Sequence, residues 1–214
     1  MYRGCRYIGV WGLLSSLLLV GAVSVCQAGE PLDKIRQTVD DVLAVLADET
    51  LKGPERTAER RAKIRQAVFQ RFGFDEMAQR ALAQHWQKRT PEERKEFVAL
   101  FSDLLERSYV DKIENYSGGK QNVLYTKETI DKDGYATVRS EIVNPRDQNV
   151  EVEYRLLKRD DNWAVYDVII EGVSLVNNYR TQFNKVIAES SYENLVKQMR
   201  LKLEQEKATT DIKN

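Results

Sequence analysis

Cysteine and histidine are scarce in this chain of 214 residues, which has two cysteines and one histidine. Cys5 and Cys26 both lie within the first 28 residues. If that segment is removed, no thiol remains, which excludes disulfide bonds, thiolate metal sites and a cysteine nucleophile. The single histidine, His85, argues against a histidine-rich metal site and a hydrolytic triad. The sequence also lacks a phosphate-binding glycine loop and a dinucleotide-binding fingerprint.

The first 28 residues have the pattern of a secretory signal peptide. Arg3 and Arg6 supply a positive n-region, an apolar stretch follows over residues 8–25, and small residues precede the predicted cut after Ala28. This pattern predicts export and a mature chain that begins at Gly29.

Two alternatives remain for this segment. A membrane anchor is disfavoured because glycine and serine dilute the apolar stretch and no stop-transfer pattern follows. A lipoprotein acylated on Cys26 is disfavoured because the β-branched Val25 precedes the cysteine.

The charges are balanced, with 33 basic and 33 acidic residues in the whole chain. Removing Arg3 and Arg6 leaves 31 basic residues against 33 acidic ones. A nearly neutral protein has no general attraction for nucleic acid or for an anionic membrane, so we expect neither as a partner.

The segment 31–117 is predicted to be helical, because its apolar residues recur at intervals of three and four. The clearest helix start is the capping box Thr90-Pro91-Glu92-Glu93. After the break at Ser117-Gly118-Gly119 the apolar period changes to two, which predicts strands over 121–171 in four runs joined by short turns. Short turns indicate an antiparallel meander. A helical segment over 174–207 and a frayed tail over 208–214 complete a single α+β domain, 29–207.

The carboxylate of Asp167 is the one candidate for acid–base chemistry, because it lies among apolar strand residues. A buried acid could serve as a base in a small isomerase-like enzyme of a cone-shaped α+β fold. A cross-strand ion pair with Arg155 is the simpler interpretation. We therefore predict that the protein is not an enzyme and keep the isomerase as the alternative.

Two stretches resemble a known family. The first runs from His85-Trp86 through the Thr90 capping box to Phe101 and Tyr109, and the second is YDVIIEGVSLVNNYRTQF, residues 166–183. Together they resemble the MlaC or toluene-tolerance family over about residues 33–205. The resemblance implies a twisted antiparallel sheet of about four strands wrapped by helices, with an apolar cavity between the layers.

The resemblance also implies a function. Such a protein would hold a glycerophospholipid as cargo, with no cofactor or metal, and would act as a monomer. It would shuttle the lipid between a MlaA-type outer-membrane complex and a MlaFEDB-type inner-membrane ABC transporter, and so maintain outer-membrane asymmetry.

The cavity wall is predicted to be the apolar face of the sheet and the helices that cover it. A wall residue and a core residue share one composition, so each of these residues can equally be ordinary core. The predicted lipid-binding residues are Phe101, Tyr109, Val138, Val152, Tyr154, Tyr166, Val168, Val176, Tyr179 and Phe183.

Overall fold

The computed structural model describes residues 30–115, 122–143, 148–160 and 162–213. The predicted signal peptide and the Gly118-Gly119-Lys120 segment lie outside these residues. Within them the α+β class and the antiparallel sheet predicted from the sequence are confirmed. The helices are α1 (Glu30–Ala47), α2 (Thr57–Phe69), α3 (Phe74–Leu82), α4 (Pro91–Asn115), α5 (Leu175–Glu189) and α6 (Tyr192–Lys213), and the strands are β1 (Asn122–Ile130), β2 (Tyr135–Val143), β3 (Val150–Arg159), β4 (Asn162–Ile170) and β5 (Val173–Ser174).

Local signals place the helix ends close to where the sequence predicts them. At α4 the amide of Glu93 donates to Thr90 Oγ1 (3.2 Å), and the amide of Thr90 donates to Glu93 Oε2 (2.7 Å). This reciprocal pair is the predicted capping box. The last helix, α6, continues to Lys213, beyond the predicted end at residue 207, because neither proline nor glycine follows Lys207.

The five strands lie in the order β1-β2-β3-β4-β5, and every neighbouring pair is antiparallel. The fifth strand, β5, has two residues and adds to the four that the sequence predicts. At the other end of β4 the segment Arg71–Gly73 lies along the edge: the Val165 amide donates to Arg71 O, and the Gly73 amide donates to Val165 O, both at 2.9 Å. Both halves of the β4 edge are therefore covered.

The apolar interior forms two clusters. One is helical and lies among α3, α4, α5 and α6, where Phe101 meets Tyr179 and Phe183 edge-to-face with ring centroids 5.3 and 5.7 Å apart. The other lies on the inner face of the sheet, where α1 covers Val138, Leu156 and Val165. Phe72 and Tyr109 pack against both clusters, and both residues line the cavity described next.

Neither a membrane span nor a metal cluster is found in the described part of the chain. Its helices are too short or too polar to cross a bilayer. Its histidine, aspartate and glutamate residues nowhere gather in a group that could hold a metal ion.

Candidate functional site

A cavity of about 460 Å³ lies between the sheet and the helices α2 and α4. Its size falls within the range of about 300–1,000 Å³ that is typical of small-molecule sites. Apolar side chains form most of its wall, and the charged ones belong to α2 and α4. The lining residues are Arg61, Ile64, Arg65, Val68, Phe69, Phe72, Phe74, Met77, Leu105, Glu106, Tyr109, Val110, Lys112, Ile113, Ile142, Val150, Val152, Tyr154, Val168, Ile170, Val173 and Leu175.

The sheet wall is formed by side chains of β2, β3, β4 and β5. Val152 pairs with Ile170, and Tyr154 pairs with Val168, so that side chains of β3 and β4 form a continuous apolar surface. Val152 and Val168 are buried at 6% and 5% exposure. This surface differs from the other half of the same face, where α1 fills the space over Val138.

The helical wall is built by α2 and by the C-terminal half of α4. Helix α2 contributes Ile64, Val68 and Phe69, and α4 contributes residues from Leu105 to Ile113. Exposed lining residues mark where the cavity reaches solvent, and these are Phe69, Lys112 and Val173. The mouth is therefore apolar, with one lysine and the paired charges of α2 and α4 beside it.

Four of the ten residues predicted to bind lipid line this cavity, and six do not. Tyr109, Val152, Tyr154 and Val168 belong to the wall. Val138, fully buried, packs in the filled part of the sheet cluster. The remaining helical residues are part of the aromatic cluster between the helices, and they are Phe101, Val176, Tyr179 and Phe183.

The prediction that Tyr166 lies on the cavity face is wrong. It assumes that β4 follows β3 in regular register, but a β-bulge intervenes between Arg155 and Leu156. A bulge adds one residue to one strand and reverses the alternation of its side chains. Val165 and Val168 therefore share the inner face, and Tyr166 points away from it. Its ring contacts Tyr135 (centroids 5.8 Å apart) and the guanidinium of Arg80 (4.1 Å).

Helix α2 is the part of the wall that the sequence prediction missed. Ile64 and Val68 follow each other at an interval of four, so the helical period was visible, but the helix is otherwise strongly charged. Such a helix is usually a surface element. The signal that could have drawn attention to α2 is the group of aromatic residues Phe69, Phe72 and Phe74 at and after its C-terminal end. A helix with so few apolar residues offers little surface for three rings to pack against.

Burial raises the pKa of two tyrosines in the wall, that of Tyr154 to about 12 and that of Tyr109 in the same direction. Both phenols are therefore neutral at physiological pH. The charged lining residues are those of α2 and α4.

The carboxylate of Asp167 has a structural role at the strand-to-helix junction. Its Oδ2 accepts a hydrogen bond from Ser174 Oγ (2.7 Å), and its Oδ1 accepts one from the amide of Val176 (3.1 Å) at the start of α5. Arg155 Nη1 lies 3.7 Å from it, which is the cross-strand ion pair considered in the sequence analysis. Asp167 is not among the residues that line the cavity. This arrangement gives no support to the isomerase alternative.

The fold and the site define a class: an α+β protein in which an antiparallel sheet and helices enclose a mainly apolar cavity. The chain belongs to the MlaC family, since the family model for MlaC protein matches residues 36–201. This match extends over both stretches from which the resemblance was recognised.

Two individual proteins are similar to this chain. One is the intermembrane phospholipid transport system binding protein MlaC of Haemophilus influenzae, with 20% identity over 142 residues, which are 65% of this chain and 66% of that protein. The chain thus spans slightly less than two thirds of that relative. The other is a solved structure of the phospholipid-binding protein from Ralstonia solanacearum in complex with a phospholipid, with 28% identity and a TM-score of 0.71. That likeness covers 81% of this chain and 97% of the Ralstonia protein.

Proposed function

We propose that this protein is a periplasmic carrier that holds a phospholipid with its acyl chains in the cavity between the sheet and helices α2 and α4. The observation that carries the proposal is the apolar cavity itself, found in a MlaC-family fold. The Ralstonia neighbour, which was solved with a phospholipid bound, supports the same ligand class.

The physical need for such a cavity follows from the cost of moving a lipid through water. Exposing one methylene to water costs about 0.8 kcal/mol, so transferring a diacyl lipid with about 30 methylenes from a bilayer to water costs about 25 kcal/mol. A carrier lowers this cost by replacing lipid contacts with its own apolar wall. A mainly apolar wall whose arginines are ion-paired suits this task, because a buried unpaired charge would oppose binding of hydrocarbon.

The proposed route of the lipid runs between a MlaA-type outer-membrane complex and a MlaFEDB-type inner-membrane ABC transporter, and its effect is to maintain outer-membrane asymmetry. Export through the signal peptide over residues 1–28 would place the carrier between these partners. The name of the Haemophilus relative, which assigns that protein to intermembrane phospholipid transport, supports this route.

The test is mass spectrometry of an organic extract of the protein purified from the periplasm. We expect a diacyl glycerophospholipid in the parent and a clear loss of it in Val152→Trp, because the indole would occupy space in the cavity. Leu124→Trp is the matched control: Leu124 is 50% exposed on β1 and is not part of the wall. An extract of the parent without lipid, or equal lipid in Val152→Trp and Leu124→Trp, would contradict the proposal.

A further inference from the structure

Helices α2 and α4 are joined along one side of the cavity by a row of arginine–carboxylate pairs. Arg60 Nε donates to Glu114 Oε1 (2.7 Å), and Arg61 Nη2 donates to Glu114 Oε2 (2.7 Å) and Asp111 Oδ1 (2.5 Å). One turn further on, Arg65 Nη1 donates to Asp103 Oδ1 (3.1 Å) and to Glu106. Three arginines of one helix thus hold four carboxylates of the other, and we call this row the arginine seam.

The arginine seam lies at the boundary of the cavity. Arg61, Arg65 and Glu106 line it, together with the apolar residues of the same two helices. The guanidinium of Arg65 also stacks on the ring of Phe69 at the mouth, 4.2 Å from its centroid. Any separation of α2 from α4 would therefore widen the cavity at this side.

Apolar packing does little to fix α2 against α4. Ile64 is the one buried side chain of α2, at 3% exposure, and it lines the cavity together with Val68 and Phe69. The close helix neighbour of α2 is α1, whereas its contacts with α4 are sparse. Most helices in proteins are held by the packing of an apolar face. Where that face borders a void, it makes fewer contacts with the helix opposite, so the ion pairs carry a larger share of the attachment of α2 to α4.

The two ends of α2 are anchored differently from its middle. Before the helix, Gly53 has a φ of 155°, a backbone conformation that other residues rarely adopt, and it precedes Pro54. After the helix, Arg71 binds Asn162 Oδ1 (2.8 Å) and the carbonyl of Trp163 (3.0 Å), which fixes the chain to β4. A helix with a glycine turn at one end and a fixed point at the other can tilt about the fixed point.

We infer that α2 is a movable wall and that the arginine seam is the latch that keeps it closed. Arg61 and Arg65 are then positioning residues that set how fast a ligand enters and leaves, while the apolar wall sets how tightly it is held. The part that concerns ligand exchange rests on the proposed function. Movement of α2 is a property of the protein alone and can be measured without a ligand.

The experiment compares the parent with Arg61→Gln/Arg65→Gln. Each protein is loaded with a phospholipid carrying a fluorescent acyl chain, and its release to phosphatidylethanolamine–phosphatidylglycerol vesicles is followed at low and high salt. We expect release about five times faster in the variant, since each partly exposed pair contributes modestly. Because salt screens ion pairs, release from the parent should accelerate with salt and release from the variant should change less.

Arg159→Gln is the matched control. Arg159 binds Asp75 Oδ2 (2.6 Å) and Glu76 Oε2 (2.7 Å) at a similar exposure to that of Arg65, 39%, but it joins β3 to α3 and is not part of the cavity wall. It should leave the release rate and its salt dependence as in the parent. If Arg159→Gln accelerates release as much as the seam variant, the effect is general loosening and the inference is overturned.

Hydrogen exchange in the unloaded proteins separates this inference from the proposed function. The seam variant should lose amide protection in α2 several-fold, while protection around Phe97 and Phe101 in α4 stays unchanged. Unchanged α2 protection overturns the latch, even if lipid is bound. Failure of every protein to take up lipid contradicts the proposed function, and the α2 amides still decide whether the seam holds that helix.

Discussion

One helix, α4, passes through two apolar regions that differ in how completely they are packed. Its N-terminal half carries Phe97 and Phe101, both fully buried, into the aromatic cluster with α5 and α6. Its C-terminal half carries Tyr109 and Ile113 to the wall of the cavity. The two halves have similar apolar residues at similar helical spacing, yet one side is filled and the other borders empty space.

The two regions differ in the side chains that pack against α4. Around Phe101 two rings of α5, Tyr179 and Phe183, pack in edge-to-face geometry, so the apolar surface of Phe101 is covered. Opposite Tyr109 the partner is α2, whose short apolar stripe reaches only part of the space. A cavity therefore arises here because a charged helix covers an apolar sheet.

The largest expected effect comes from removing a ring from the filled region. Phe101→Ala should lower the free energy of unfolding by about 3–5 kcal/mol, because it leaves a new void among close-packed rings. Tyr109→Ala, on the same helix at the cavity, should cost less, since that side chain already lacks contacts on one side. Urea denaturation of the delipidated proteins measures both, and equal losses would erase the distinction between the two regions.

Enlarging side chains should sharpen the comparison within the sheet. Val138→Trp overpacks the filled half and should destabilise the protein by about 1–3 kcal/mol. Val152→Trp enters the cavity and should change the melting temperature of the delipidated protein little. Differential scanning calorimetry compares the two, and a large loss in Val152→Trp would mean that this part of the face is ordinary core.

The carboxylate of Asp167 should stabilise the junction between β4 and α5, which connects the sheet to the helical cluster. Asp167→Ala should lower the free energy of unfolding by about 2 kcal/mol, because the Ser174 hydroxyl and the Val176 amide lose their acceptor. Guanidinium denaturation gives the value. Asp41→Ala, at an exposed site on α1, is the control and should have little effect; a neutral result for Asp167→Ala would contradict the capping role.

The smallest effect is expected at alkaline pH. Burial raises the pKa of Tyr154 in the cavity to about 12, and burial together with Glu93 and Glu96 raises that of Tyr192 in the filled cluster to about 12. Because each folded pKa lies above the unfolded value of about 10, stability is intact below pH 10 and is lost as pH rises toward 12.

Each tyrosine contributes less than about 1.4 kcal/mol per pH unit to this loss, because solvent screening reduces the effect at a partly exposed phenol. Tyr154→Phe and Tyr192→Phe should each flatten the decline between pH 10 and 11, as followed by denaturant titration at each pH. A bound lipid should deepen the contribution of Tyr154 alone, since it removes water from the cavity. Identical curves for parent and variants would show that neither phenol is buried as described.

The amino-acid sequence determined the elements of this fold because their signals are local. The Thr90 capping box, the change of apolar period after the glycines and the short turns between strands each act over a few residues, and each element formed close to where it was predicted. The string of residues 166–183 joined strand, turn and helix in one order, which was sufficient to recognise the family that the comparison confirms.

Only the tertiary structure decided which apolar residues enclose a cavity. Val138 and Val152 have the same pattern in their strands, but α1 fills the space over the first and leaves the second facing a gap. The β-bulge beside Arg155 turns the side chain of Tyr166 to the opposite face of the sheet, and no local pattern in β3 or β4 predicts this bulge. Helix α2, which reads as a solvated surface, became a wall because distant carboxylates on α4 hold it there. Whether a cavity forms depends on how elements far apart in the chain pack together. The hydrophobic periodicity of a single element contains no information about that packing.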